Sequence, residues 1–220
     1  MAERLAQDPD ELFDVIDMYG APTGVTKRRA DVHRDGDWHR AIHVWVYGQD
    51  ASGAFLVLQR RGLDKDSWPG SLDAPAAGHL AAGETPEDAF REIEEELGIT
   101  PDPAALHHVG TRVIADEMPP DHFDREYDEV YLLRRDDPLE TYRPDPIEVD
   151  ALVRVPLDDW IAFVFGETST IEGTLMRASD RAITPLTIEP DQLIPVPDRY
   201  FARVAIACRR ALDGDRHLVV

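Results

Sequence analysis

The segment from Thr85 to Gly98 constrains the fold most, because helix signals at its two ends agree. Thr85 suits the N-cap, Pro86 the first helical position, and Asp88 stands three residues after the cap as in a capping box. Gly98 can take the left-handed conformation that ends a helix after Leu97. Within these limits Ala89, Ile93 and Leu97 form an apolar stripe that anchors the helix on a sheet. Glu92, Glu95 and Glu96 stand at i, i+3 and i+4, so their carboxylates fall within about one hundred degrees of arc on another face.

The rest of the chain supplies strands for that helix to rest on. AIHVWVYG and AFLVLQRR, joined by the turn QDASG, are rich in β-branched and aromatic residues and read as adjacent central strands. Upstream, Leu12 to Met18 alternates apolar and polar residues before the turn residues Gly20, Pro22 and Gly24, which predicts an N-terminal hairpin over about 12–28. RADVHRDGDWHR, with His33 and His39, reads as a polar connection. HHVGTRVIAD and DEVYLLRR read as strands separated by EMPPDHFDREY, a loop expected near the site. IEVDALVRVPL predicts a further strand and LDDWIAFVFGE a short helix. From Asp198 to Leu212, an amphipathic helix carries Phe201, Val204, Ala205, Cys208 and Leu212 on one stripe, with Cys208 as a small core residue. The pattern is α/β, and residues 1–220 read as one domain with a C-terminal helical extension over about 198–212.

Composition narrows the function. With 43% hydrophobic and 30% charged residues the chain should pack a core. No run of roughly eighteen apolar residues could span a bilayer, the acidic opening MAERLAQDPDELFDV lacks a signal pattern, and Cys208 has no intramolecular partner; the expectation is a cytoplasmic protein. A net charge of -21 argues against nucleic acid as a partner. A phosphate-bearing small molecule would need divalent metal to neutralise it. The charge also reads as a solubility device or a sign of a salt-rich cytoplasm, since Lys27 and Lys65 are the only lysines.

Three adjacent carboxylates repel one another by some tenths of a kcal/mol per pair, and a bound Mg²⁺ or Mn²⁺ would reverse that cost. The plain alternative is a solvated acidic helix face. The surroundings favour the metal: GHLAAGETPEDAFREIEEELGI resembles the Nudix box, with Arg91, Glu92, Ile93, Glu95, Glu96, Gly98 and Ile99 matching its second half and Gly78 and Glu84 its first. Six residues separate Glu84 from Arg91 where the family has seven, which leaves the glutamate spacing intact and puts the position of Glu84 in doubt. The resemblance implies an α/β/α sandwich around a mixed sheet, a box over about 78–99, and a Mg²⁺-dependent hydrolase (Mn²⁺ the alternative ion) in which water attacks phosphorus. It implies Glu92, Glu95 and Glu96 as metal ligands, one of these or a distant carboxylate as the base, and Arg91 orienting a glutamate.

Outside the box, FDVID, PTGVTKR, VHRDGDWHRAIHVW, LVLQRR and DSWPGSLDAPAAGH are similar to the isopentenyl-diphosphate-isomerase-like branch of that family, from about Leu12 to Leu133. True isomerases carry a cysteine where this chain has Ala77, which has no proton to exchange. The same resemblance allows a second metal site at His33, His39 and His79, against the plainer reading of hydrogen-bonding residues at strand ends; His43 reads as a core or edge residue. Glu129, then Glu126, from the stretch DHFDREYDEVYLL that also holds Asp128, are the candidates for the extra metal-binding or basic carboxylate that the resemblance implies, against the plainer reading of exposed loop acids. Arg60 and Trp68 are the candidates for substrate contact, although Trp68 could equally cap the core. The expected activity is hydrolysis of a nucleoside diphosphate derivative or another small organic diphosphate by a monomer or homodimer. A prenyl-diphosphate isomerase and a non-catalytic ligand-binding module are the alternatives.

Overall fold

The computed structural model describes residues 7–118 and 122–220. The two runs expected as central strands form β3 (His39–Asp50) and β4 (Gly53–Arg61), an antiparallel pair. Around them lie β5 (Leu72–Asp73), β6 (Ala76–His79), β7 (Leu106–Met118), β8 (His122–Arg134), β9 (Val149–Pro156), β10 (Ile171–Arg177) and β11 (Ile183–Ile188). The nine strands form one mixed sheet in the order β11-β10-β9-β4-β3-β8-β7, with β5 on β4 and β6 on β3; the β3–β8 pair is parallel. The N-terminal hairpin, β1 (Leu12–Ile16) and β2 (Pro22–Arg28), is a separate two-stranded sheet.

Helices cover both faces, and strand alternation assigns each side chain to one of them. On one face α2 (Arg91–Leu97) sets Ile93 and Leu97 against Ile42, Val44, Val46, Tyr131 and Leu133. Full burial of those two side chains contributes roughly 3–6 kcal/mol. On the other face α3 (Leu157–Val164) and α4 (Tyr200–Leu212) set Trp160, Phe201, Val204 and Cys208 against Trp45, Leu58, Val130 and Leu132. This is a helix–sheet–helix sandwich, as the resemblance implied. The stretch after residue 138, which carried no motif, completes it through β9, the β10–β11 hairpin and α4.

Near the box the expected start is right in its bonds and wrong in its pitch. Thr85 and Asp88 exchange capping-box bonds, Asp88 amide to Thr85 Oγ1 at 3.3 Å and Thr85 amide to Asp88 Oδ2 at 3.0 Å. The following turn, Asp88–Phe90, is a 3-10 helix, and α2 begins only at Arg91. Three 3-10 residues rise about 6 Å, the same as four α-helical ones. The tighter turn therefore absorbs the missing residue between Glu84 and Arg91, and Arg91 Nε still reaches Glu84 Oε1 at 3.1 Å. Gly98 closes α2 at φ 63°, donating to the Glu94 carbonyl.

Two expectations change. RADVHRDGDWHR is not a plain connection: Arg29–Asp35 forms α1, closed by Gly36 in the left-handed region. Most of EMPPDHFDREY is strand, because β7 and β8 run on as one long hairpin; Pro119, Pro120 and Asp121 lie outside the described residues. Among the described residues no helix is long and apolar enough to cross a membrane.

Candidate functional site

Strand register gathers four potential ligands at one end of the sheet. His39 opens β3 opposite Glu126 of β8, and two residues on, Ala41 stands opposite His79, the last residue of β6. His33 arrives from α1, which packs against β8. One ligand atom from each of His33, His39, His79 and Glu126 lies within 4.8 Å of the others. His79 Nε2 is 2.8 Å and His39 Nε2 3.4 Å from the same Glu126 oxygen. Phe13 stacks on His39 with ring centres 5.4 Å apart and makes the wall behind the cluster apolar.

Backbone contacts settle two tautomers. His33 Nδ1 lies 3.0 Å from the Arg29 carbonyl and His39 Nδ1 3.1 Å from that of Asp37. A carbonyl only accepts, so each Nδ1 carries the proton and each Nε2 keeps a free lone pair. Both Nε2 atoms are buried without a hydrogen-bond partner among the described residues. Imidazoles oriented by a carbonyl, with bare nitrogens converging beside a carboxylate, fit a divalent cation. Burial, then the neighbouring His79 and His39, pulls His33 down to about 2, and burial pulls His79 down to about 4. Burial alone would raise Glu126, but the neighbouring His39 and His79 imidazoles hold it well below the usual carboxylate range.

The second group comes from α2. Arg91 is its hub: besides Glu84 it reaches Glu95 at 3.4 Å, the His79 carbonyl at 3.4 Å and the Glu92 carboxylate in a short contact. Burial works against the charge on Arg91, yet the Glu84 hydrogen bond and the Glu92 carboxylate raise its pKa overall. Burial, then the charge of Glu96, pushes Glu92 up to about 8. That is the signature of a carboxylate enclosed beside another, a state that a cation would relieve.

One cavity of about 410 Å³ is bordered by the α2 group and, from the histidine group, by His79 and Glu126. Glu92, Glu95 and Arg91 line one side, His79 and Glu126 another, and Arg29, Arg61, Lys65, Arg112, Trp68 and residues 194–196 lie around them. The expected trio is split. Glu92 and Glu95 face the cavity, whereas Glu96 is 1% exposed and turns inward to the Ala77 amide (2.8 Å), Gln59 (3.2 Å) and Lys65 (3.3 Å). Trp68 lines the cavity at φ 48°, in the left-handed region.

Two candidates need correcting. Glu129 sits outside the cavity lining, bound by His108 (2.8 Å), Thr111 (2.9 Å) and Arg40 (3.2 Å). It shares the α2 face with Tyr131, while Glu126 and Asp128 share the other face with Val130, so strand parity selects Glu126. Arg60 pairs with Asp150 in a short contact, and its neighbour Arg61 lines the cavity instead, held by Asp73 at 3.0 Å. A register shift between Arg60 and Arg61 in the β4–β9 pairing aims them apart. Residue types alone did not single out Arg112, Asp124 or His122, whose only signal is spacing on strands β7 and β8, or Tyr200, which opens α4.

The NUDIX domain model matches residues 37–171. An uncharacterised Nudix hydrolase of Clostridium acetobutylicum is 34% identical over 210 residues, 94% of this chain and 98% of that protein. Nudix hydrolase 3 of Arabidopsis thaliana is 40% identical over 162 residues, 72% of this chain; the match spans 21% of the length of that much longer protein. The isopentenyl-diphosphate Delta-isomerase of Corynebacterium diphtheriae is 38% identical over 94 residues, 42% of this chain and 49% of the isomerase. A crystal structure from Deinococcus radiodurans shares the fold at a TM-score of 0.50 and 21% identity, covering 70% of this chain and 89% of that one. A family match across most of the sheet and its box, together with a relative aligned almost end to end, means that this chain belongs to the Nudix hydrolase family, on the branch that includes isopentenyl-diphosphate isomerases.

Proposed function

We propose that the protein is a divalent-metal-dependent hydrolase that cleaves the diphosphate linkage of a small organic diphosphate, nucleoside diphosphate derivatives included, by attack of water at phosphorus. The observation that carries this reading is the convergence on one cavity of Glu92 and Glu95 on α2 with His79 and Glu126 on the sheet edge, the latter two belonging to a ligand group completed by His33 and His39. Glu92 and Glu95, backed by Glu96, offer hard oxygen ligands suited to Mg²⁺ or Mn²⁺, and the histidine group would hold a second, softer ion. Cations there supply neutralisation of phosphate oxygens and a lower pKa for bound water.

The protein's own groups do the rest. Arg91 is a positioning residue that holds Glu84, Glu92 and Glu95 in one arrangement through charge-assisted contacts. Arg61 and Arg112 line the cavity, each held by carboxylates, and Trp68 offers a flat apolar face to the organic part of the substrate. Glu126 and Glu92 are the carboxylates available to accept the proton of the attacking water. Isomerisation is disfavoured because the β6 position beside Gly78 is Ala77, which cannot exchange a proton.

The test is release of phosphate products from a panel of nucleoside diphosphate derivatives and short organic diphosphates, isopentenyl diphosphate among them, with Mg²⁺ or Mn²⁺. Release is expected from part of the panel, and chelation, Glu92→Gln or Glu95→Gln should abolish it. Absence of cleavage with either metal overturns the reading. Isopentenyl diphosphate isomerised without hydrolysis would replace it with the isomerase, and binding without turnover with a ligand-binding module.

A further inference from the structure

His43 belongs to neither ligand group, yet it lines the same cavity. It lies within β3, opposite Ala77 of β6, whose single methyl leaves the space beside the imidazole open. On the side away from the cavity, His43 Nδ1 is 3.1 Å from the Tyr200 hydroxyl, and Trp45 Nε1 donates to that hydroxyl at 2.8 Å. An indole N–H can only donate, so the Tyr200 oxygen accepts from Trp45. The phenol proton then goes to His43 Nδ1, its one acceptor within hydrogen-bond reach among the described residues. Nδ1 is therefore bare and Nε2 carries the ring proton. Nε2 has no hydrogen-bond acceptor among the described residues; the carboxylate within 4.0 Å is Asp128, already bound to Arg112 at 3.2 Å. Burial lowers His43 to about 4, in keeping with a neutral ring.

We infer that His43 contacts the substrate, its Nε2–H donating a hydrogen bond to an anionic oxygen of the bound diphosphate, with Tyr200 and Trp45 as positioning residues that fix its tautomer. This rests on the diphosphate reading above and adds to it a neutral donor deep in the cavity, where the basic residues are already paired with carboxylates. A donor of fixed tautomer needs no reorganisation when an anion arrives.

Two measurements on the full chain test it. Nitrogen-15 NMR of the imidazoles should find His43 protonated at Nε2 and bare at Nδ1, and Nε2 should shift when methylenediphosphonate and Mg²⁺ are added. Calorimetry with that same probe should show His43→Phe weakening binding on the order of ten-fold or more, the loss of one hydrogen bond to a charged acceptor. His43→Gln, which keeps an N–H at the end of its side chain, should stay within a few-fold, and Tyr200→Phe should mix the tautomers and weaken binding with the fold intact. Protonation at Nδ1 overturns the inference, as does wild-type affinity in His43→Phe. A loss in His43→Gln as large as in His43→Phe assigns the effect to packing and overturns it as well. If the unaltered protein binds no probe with Mg²⁺, the diphosphate reading falls and this inference with it, whereas binding indifferent to His43→Phe removes only the role of His43.

Discussion

Gly78→Ala would add one methyl group where the Glu92 side chain passes β6. A Cβ at that position would stand 2.2 Å from Glu92 Cδ, 2.4 Å from Cγ and 2.6 Å from Oε1. Non-bonded carbons settle at about 3.5–4.0 Å, so the carboxylate must retreat by more than about 1 Å, and it cannot do so while keeping its short contact with Arg91. Gly78 does not occupy the left-handed region, so no backbone strain is added and the whole effect passes through Glu92. Overpacking of this kind costs about 1–3 kcal/mol, and a misplacement of about 1 Å in a catalytic constellation costs on the order of 100-fold in rate.

The assay is a double-mutant cycle with Glu92→Ala, following urea unfolding, Mg²⁺ affinity and metal-dependent turnover. With the glutamate truncated, the three atoms nearest the new methyl are gone, so the stability penalty of Gly78→Ala should fall by more than about 0.5 kcal/mol in that background. Gly24→Ala is the control: its φ is +77° and nothing lies within 4 Å of its added Cβ, so it should cost about 1 kcal/mol of stability and leave turnover alone. Wild-type turnover and Mg²⁺ affinity in Gly78→Ala, or a penalty that is the same with and without Glu92, would refute the steric argument.

Lys65→Met removes the buried ammonium 3.3 Å from Glu96 and should cost about 3–5 kcal/mol in chemical denaturation, since it strands a carboxylate that is 1% exposed. For Glu92, with its carboxyl raised to about 8 from 4.5, the stabilising contribution is full below pH 4.5 and is lost as pH rises to 8. The metal-free protein should therefore lose about 1.4 kcal/mol per pH unit through this group over that window, and Glu92→Gln should flatten the corresponding part of a urea-stability profile. Burial pushes the Cys208 thiol up, so the native protein should resist thiol reagents that modify one cysteine per chain in denaturant.

What could be read from the residues followed from local rules. The anchoring stripe Ala89, Ile93 and Leu97, the Thr85–Asp88 cap and Gly98 depend on neighbours a few positions away, and all sit as expected. The errors arise where a distant strand decides. Glu126 and Glu129 are both acids in the same stretch, and only the pairing of β8 with β3 and β7 determines which one meets the histidines. Arg60 and Arg61 differ by one register shift. Glu96 was expected beside Glu92 at an open face, but Lys65, thirty-one positions earlier, draws it inward. In α1 a signal was present and unused: Gly36 ends RADVHRD with the same left-handed closure that marked the end of α2.

Nine carboxylates and five basic side chains line the cavity, so its own balance is negative. Each of those cations is already engaged: Arg29 lies 3.6 Å from Asp66, Arg61 holds Asp73, Lys65 holds Glu96 and Glu148, Arg91 holds Glu84 and Arg112 holds Asp128 and Asp198. A diphosphate entering the cation-free cavity would have to break such pairs to find positive charge, and breaking a buried pair costs several kcal/mol. The neutralising charge must then come from outside the chain, and the bare imidazole nitrogens of His33 and His39 and the raised carboxyl of Glu92 are the groups with unmet demand for it. On the proposed reading, cation and diphosphate bind with positive coupling, and removing the metal should abolish affinity for the substrate as well as its cleavage.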